Sequence, residues 1–175
     1  KNPFKDNRSL SKIFLNFKLK LDHINKKKYV VAVSGGPDSL TLVALTQLYK
    51  LNNKTKFYYV LVDHNIRKNS NKEAHQVKSL LKKKNINLRI LLNQKKIIKN
   101  IQGEARNTRY DLLLNYCKKN GIKTIVTAHN LEDQVETFFI RLSRGSGLKG
   151  LSSMKLISKI NNQISLFRPL LDVQK

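Results

Sequence analysis

The sequence predicts an α/β fold, a parallel five-stranded sheet with helices on both faces. Two observations carry this. Short β-branched runs alternate with stretches of helical periodicity, which is the pattern of βαβ units. The chemically unusual residues fall just after the strands, where ligands bind in open parallel sheets.

Residues 7–21 place Leu10, Ile13, Phe14, Phe17 and Leu21 at helical spacing, with Ser9 or Ser11 as the N-cap. Residues 29–33 form a first strand that ends at Ser34-Gly35-Gly36-Pro37, and a helix over 38–50 follows through Leu42, Leu45 and Leu48. A second strand, 57–62, stops at Asp63-His64. The next helix, 70–84, is expected to start at Ser70 or Asn71 and to bury Val77, Leu80 and Leu81. A third strand covers 88–92, and a helix over 102–119 closes at Asn120-Gly121, a common helix stop. Residues 122–128 make a fourth strand, 131–142 a helix and 164–167 a fifth strand. The loop 143–153, with three glycines and four serines, reads as the mobile segment.

The chain has 175 residues, enough for one domain with one core. An apolar fraction of 40% excludes a disordered chain, and no run approaches the ~18 apolar residues of a membrane span. The N-terminal stretch alternates apolar and basic residues, unlike a signal peptide. One cysteine, Cys117, allows neither an internal disulfide nor a multi-cysteine zinc site, and it reads as buried filler. The expected compartment is cytoplasmic, without a membrane partner. No feature fixes the oligomeric state, and a homo-oligomer is compatible with the sequence.

A net charge of +24 suits a polyanion partner, nucleic acid above all. Lysine outnumbers arginine more than three to one, and asparagine is abundant. The alternative source of the charge is therefore compositional drift, with lysine runs as solvated faces. Motifs have to decide between the two.

Ser34, Gly35, Gly36, Pro37, Asp38 and Ser39 lie between a strand and a helix. Glycines let a backbone turn sharply and offer its N–H groups, while the helix start points its dipole at the same space. Such a loop cradles phosphate. Asp38 would repel phosphate directly, so its useful role is to hold Mg²⁺ against pyrophosphate. The plain alternative is a tight turn with Asp38 as helix cap. No lysine follows the glycines, so this is not the GxxxxGK[ST] loop.

Asp38, Asp63, Glu132, Asp133 and Glu136 all fall at the same predicted edge, although the chain has only eleven acidic residues. Asp133 and Glu136 are neighbours on one helical face and call for a cation, unless they simply compensate the helix dipole. Arg106 and Arg109 lie on adjacent turns, suited to phosphate or to ion pairs with Glu104 and Asp111. His64 and His129 end strands and are placed to contact a nucleotide or to serve structurally.

SGGPDS after a hydrophobic strand resembles the pyrophosphate loop of the N-type ATP pyrophosphatases (the PP-loop superfamily), with their Rossmann-like, adenine-nucleotide α-hydrolase sheet. Further motifs, VDHNIR at 62–67, GEARNTRY at 103–110, TAHNLEDQVET at 127–137, RGSGLKGL at 144–151 and RPLL at 168–171, are similar in order to those of tRNA(Ile)-lysidine synthases. That family usually carries two aspartates where this chain has Glu132-Asp133.

The resemblance implies that residues 1–175 are an N-terminal catalytic domain, truncated before further tRNA-binding domains. It implies ATP with Mg²⁺ on Asp38 and Asp133, and free lysine as the second substrate. It also implies the anticodon loop of isoleucine tRNA as the partner, and if the +24 charge is functional, part of it should form a basic surface for that RNA from Arg141 and Arg144 across Lys149. Catalytic roles fall to Asp38, Arg109, Asp133 and Glu136. Nucleotide contacts fall to residues 34–39 with Asp63, His64, Arg106 and His129. Two rivals stay open. A tRNA thiolase of the same superfamily usually needs more cysteines than this chain has. A basic RNA-binding module without catalysis would have no use for an intact SGGPDS.

Overall fold

A computed structural model describes residues 7–94, 99–147 and 150–174. The elements run α1 (Arg8–Ile24), β1 (Lys28–Val33), α2 (Pro37–Lys50), β2 (Lys56–Asp63), α3 (Ser70–Lys82), β3 (Leu88–Leu92), α4 (Ile101–Lys119), β4 (Thr124–Val126), α5 (Leu131–Ser143), β5 (Ile157–Lys159) and β6 (Ser165–Phe167). They build one sheet of order β3-β2-β1-β4-β6-β5. Every pairing is parallel except β5 with β6, which is antiparallel.

The parallel α/β architecture matches the expectation, with six strands in place of five. The extra strand, β5, is three residues long at the sheet edge, with only Ile157 apolar, so it carries no periodic signal. β4 is shorter than 122–128. Ile122 is buried before the strand, its N–H bonded to the Cys117 carbonyl at 2.9 Å.

The strands read as continuous apolar runs because both faces of the sheet are covered. Val31 and Val33 of β1 face a core with Phe17, Leu21, Leu42, Leu45 and Leu81 from α1, α2 and α3. Val30 faces the other way, onto Leu113 and Cys117 of α4 with Ile125 and Leu166. Each fully buried side chain of this kind is worth about 1.5–3 kcal/mol of transfer free energy. Cys117 is core filler, as expected. α5 buries none of its side chains completely.

The helix caps differ from the expected ones. Asn7, not Ser9 or Ser11, caps α1, its side chain accepting the Leu10 N–H at 3.1 Å. Asn69, not Ser70 or Asn71, precedes α3, and it makes no side-chain cap bond. On α3 the buried residues are Ala74 and Leu81, while Leu80 is half exposed. At about 100° per residue Leu80 falls on a different face of α3 from Ala74, Val77 and Leu81, which meet the core. The loop after α5 is held to that helix: Gln134 exchanges two hydrogen bonds with Met154, at 2.7 and 3.2 Å.

α1 precedes the first strand yet is integral to the core. Phe17 is 1% exposed and meets the Tyr49 ring edge-on at 6.5 Å. Lys20 ties α1 to the last residues through Asp172 at 2.5 Å and the Pro169 carbonyl at 2.8 Å. Phe17→Ala should therefore destabilise the whole domain by about 3–5 kcal/mol in urea unfolding. A loss below about 1 kcal/mol would mean that α1 is peripheral.

Candidate active site

The chain runs β1, β2, β3 outward in one direction, then returns to place β4 on the other side of β1. The strand order thus reverses between β1 and β4, and a crevice opens there beyond the strand ends. A cleft of about 530 Å³ occupies this position, and Ser34, Asp38, Ser39, Asp63, His64, Arg109, His129 and Asp133 all line it.

The floor is the turn between β1 and α2. Gly35 has φ +87°, and a Cβ there would stand 2.7 Å from Val77 Cγ2. Only glycine fits beneath α3 in that conformation. The Ser39 hydroxyl closes the turn, accepting from the Gly35 N–H at 3.1 Å and donating to the Gly36 carbonyl at 2.8 Å. Ser39 is buried and serves the loop's own geometry, whereas Ser34 is exposed at the mouth. α2 starts at Pro37 behind Gly36, without a side-chain cap bond, so the positive end of its dipole is left for a ligand. Asp38 is the second residue of the helix rather than its cap.

One wall comes from the end of β2. Asp63 is 3% exposed. Its Oδ1 accepts the Asn65 N–H at 2.9 Å, and its Oδ2 is buried without a partner. Asn93 clamps this turn: its N–H bonds the Asp63 carbonyl at 2.8 Å, and its side-chain amide the His64 carbonyl at 3.2 Å. His64 Nε2 accepts from Arg109 Nε at 3.4 Å, and its Nδ1 is buried and unpartnered. Burial, then the Arg109 charge, push the His64 pKa down against the pull of Asp63.

The facing wall comes from β4 and α5. His129 Nδ1 bonds Thr127 Oγ1 at 2.8 Å. Burial and the positive charge of Arg168 lower its pKa, with Asp133 opposing. Asn130 and Asp133 form a reciprocal cap: Asn130 accepts the Asp133 N–H at 3.1 Å, and Asp133 Oδ2 accepts the Asn130 N–H at 2.9 Å. Capping therefore uses one oxygen of Asp133, while the residue still borders the cleft. Glu136 is exposed and does not line it.

Arg106 lies outside the lining residues, stacked 5.4 Å over the Tyr110 ring. Among the described residues the ion pairs are Lys20–Asp172 and Arg67–Glu73, so neither Arg106 nor Arg109 pairs with Glu104 or Asp111. Arg141 donates to the carbonyls of Gly150 and Ser152, bracing the loop beside α5, and Arg144 is exposed. Lys149 lies outside the described residues.

Sequence reasoning missed several contributors. Arg67 and Glu73 line the cleft and pair at 3.2 Å, and Tyr110 lines it too. Arg67 and Tyr110 stand inside the quoted motifs, which was signal enough. Asn93 had no local signal, because its role depends on β3 lying beside β2.

A glycine turn and a helix start without a side-chain cap at the switch point of a parallel sheet, faced by carboxylates, imidazoles and an arginine, are the features of a nucleotide-binding α/β domain. The chain belongs to the PP-loop domain family, which it matches over residues 5–175. It is 45% identical over 148 residues to the tRNA(Ile)-lysidine synthase of Wolbachia pipientis wMel, a match covering 83% of this chain and 34% of that protein. It is 38% identical over 170 residues to the tRNA(Ile)-lysidine synthase of Orientia tsutsugamushi (strain Boryong), covering 93% and 38%. The chain thus spans about a third of the length of these curated relatives. In fold it is similar to the U34-tRNA thiolase NcsA from Methanococcus maripaludis, with TM-score 0.78, 17% identity and 95% of this chain and 60% of that one covered.

Two outcomes follow from the geometry. Gly35→Ala combines positive φ with the collision against Val77, so it should cost about 1–3 kcal/mol in urea unfolding. An unchanged midpoint would mean the turn is not strained in this way. The two histidines give a pH signature. Their folded-state pKa values lie below the ordinary 6.5, so below that pH the unfolded chain binds more protons than the folded one. Their contribution to stability is complete above about pH 6.5 and is lost as pH falls toward the depressed values. His64→Gln should flatten the acid side of the profile, and an unaltered slope in that variant would contradict the assignment.

Proposed function

We propose that this domain ligates lysine to C2 of the wobble cytidine in the CAU anticodon of isoleucine tRNA, at the expense of ATP. The observation that carries this reading is the convergence of Ser34, Asp38 and Ser39 of SGGPDS with Asp63, His64, Arg109, His129 and Asp133 on one cleft. The identity of 36–45% to relatives bearing the lysidine synthase name supports it.

In this reading the phosphates of ATP rest on the turn at 34–39 and the start of α2, where backbone amides and the helix dipole oppose their charge. Asp63 and His64 border the same space. The C2 carbonyl oxygen of the cytidine attacks the α-phosphorus, pyrophosphate leaves, and Arg109 stabilises the charge that develops. The ε-amine of lysine then attacks C2 of the adenylated base and displaces AMP. That amine must first lose a proton, and Asp133, at the cleft wall, is the better-placed base than the exposed Glu136.

The residues present fit Mg²⁺. Among the described residues no three His, Cys, Asp or Glu side chains gather into a metal cluster. Asp38 and Asp133 both line the cleft, and Mg²⁺ is commonly held by one or two carboxylates together with phosphate oxygens. Asp38 would hold it, and Asp133 would share it only before the lysine amine is deprotonated. When bound, the ion neutralises pyrophosphate charge.

The thiolase alternative shares the fold and asks for reactive sulfur. Cys117 does not supply it: the thiol is buried in the core under α4, and burial pushes its pKa up to about 12. No described helix is long and apolar enough to cross a membrane.

The direct test is AMP release in the presence of isoleucine tRNA, with and without lysine. Release that needs both supports the reading, and release independent of lysine contradicts it. Asp38→Ala should lower turnover at least about a hundredfold. It should cost far less in stability than in turnover, about 1 kcal/mol, as for an acid in the first turn of a helix. Full activity in this variant would refute the role of Asp38. Asp133→Asn should likewise reduce turnover far more than Glu136→Gln. Equal effects would return Glu136 to the site.

A further inference from the structure

A second groove, of about 860 Å³, lies toward the opposite pole of the sheet from the cleft. It opens between the first residues of β2 and β3, the middle of α3 and the C-terminal half of α4. Its lining residues are aromatic, apolar, amide or basic, with no carboxylate among them. Tyr58 and Tyr116 contribute rings half-buried against the core under α4, and Lys78, Arg89 and Lys119 contribute cations.

Tyr116 is within electrostatic reach of both Tyr58 and Arg89, and Lys78 and Lys119 line the same groove. The two rings do not stack on one another among the described residues. The cations are not consumed by ion pairs there either. Lys119 is in the last turn of α4, where the helix dipole already calls for a positive charge. Arg89 on the edge strand β3 and Lys78 within α3 have no such local counterweight. Uncommitted cations beside aromatic faces, with acids excluded, are the chemistry that single-stranded nucleic acid selects. A metal ion or a basic peptide would find only repulsion.

We propose that this groove is a second nucleotide-binding site, which takes one unpaired nucleotide with its base against Tyr58 and Tyr116 and its phosphate on Arg89 and Lys78. Every base has a π-face, so recognition there is tolerant of sequence. The nucleotide comes from a single-stranded RNA segment or is a free mononucleotide. The site is independent of the reaction proposed for the cleft.

The test is a titration of the protein with AMP and with a short oligouridylate, the cleft being saturated with a non-hydrolysable ATP analogue. The variants are Arg89→Gln, which changes an exposed edge side chain, and Tyr116→Leu, with far-UV circular dichroism confirming the fold of each. Each variant should bind about tenfold more weakly than the wild type, through a lost phosphate contact or a lost stacking face. Arg89→Gln should also reduce the log–log salt slope for the oligonucleotide by about one. Weakening confined to oligouridylate identifies RNA as the ligand, and weakening that extends to AMP identifies a mononucleotide. If Tyr116→Leu does not fold, Arg89→Gln decides alone. A wild type that binds neither probe, or variants that match it on both, would overturn the proposal.

Discussion

The turn from β1 into α2 is the constraint on which the rest of the site depends. β1 lies between β2 and β4, and the order in which strands are added to the sheet reverses across it. Where it ends, Gly35 holds a left-handed backbone beneath Val77, and the Ser39 hydroxyl closes the loop. That geometry aims α2 at the crevice without a capping side chain. The strand ends on either side then deliver Asp63-His64 and His129 to the same space. Move this turn, and the groups on either side lose the floor of the cleft they share.

Electrostatics around the cleft are balanced rather than uniformly basic, although the chain carries +24. Asp63 and Asp133 each stand next to an imidazole whose pKa burial and arginine charge drive down. Neutral histidines beside carboxylates spare the site a surplus of positive charge, and Arg109 supplies one cation to the cleft. Asp63 keeps one oxygen buried without a partner while the other organises the turn. A buried carboxylate oxygen left open in a ligand cleft is costly unless a donor arrives with the ligand.

Much of the fold was legible because both faces of the sheet are buried, so the strands stand out as unbroken apolar runs between helical periods. β5 was illegible for the complementary reason: a short edge strand with one apolar residue is defined by its partner β6, not by its own pattern. Caps were misplaced where several Ser and Asn residues cluster, since Asn7 and Ser9 differ only in where the chain enters the helix. At the site, the rule that ligands bind beyond the strand ends identified the central residues correctly as neighbours. It could not reveal that Asp133 also caps α5, that Arg141 braces the adjacent loop, or that Asn93 clamps the Asp63 turn. Those roles arise from tertiary neighbours that residue spacing does not encode.

The central claim is that this cleft holds the triphosphate over residues 34–39. A crystal structure with ATP and Mg²⁺ tests it most directly. The phosphates should lie against the Ser34–Ser39 backbone at the start of α2, with Asp38 on the metal and the nucleoside near Asp63-His64. A nucleotide bound elsewhere on the sheet, with the β1–α2 turn empty, would contradict it.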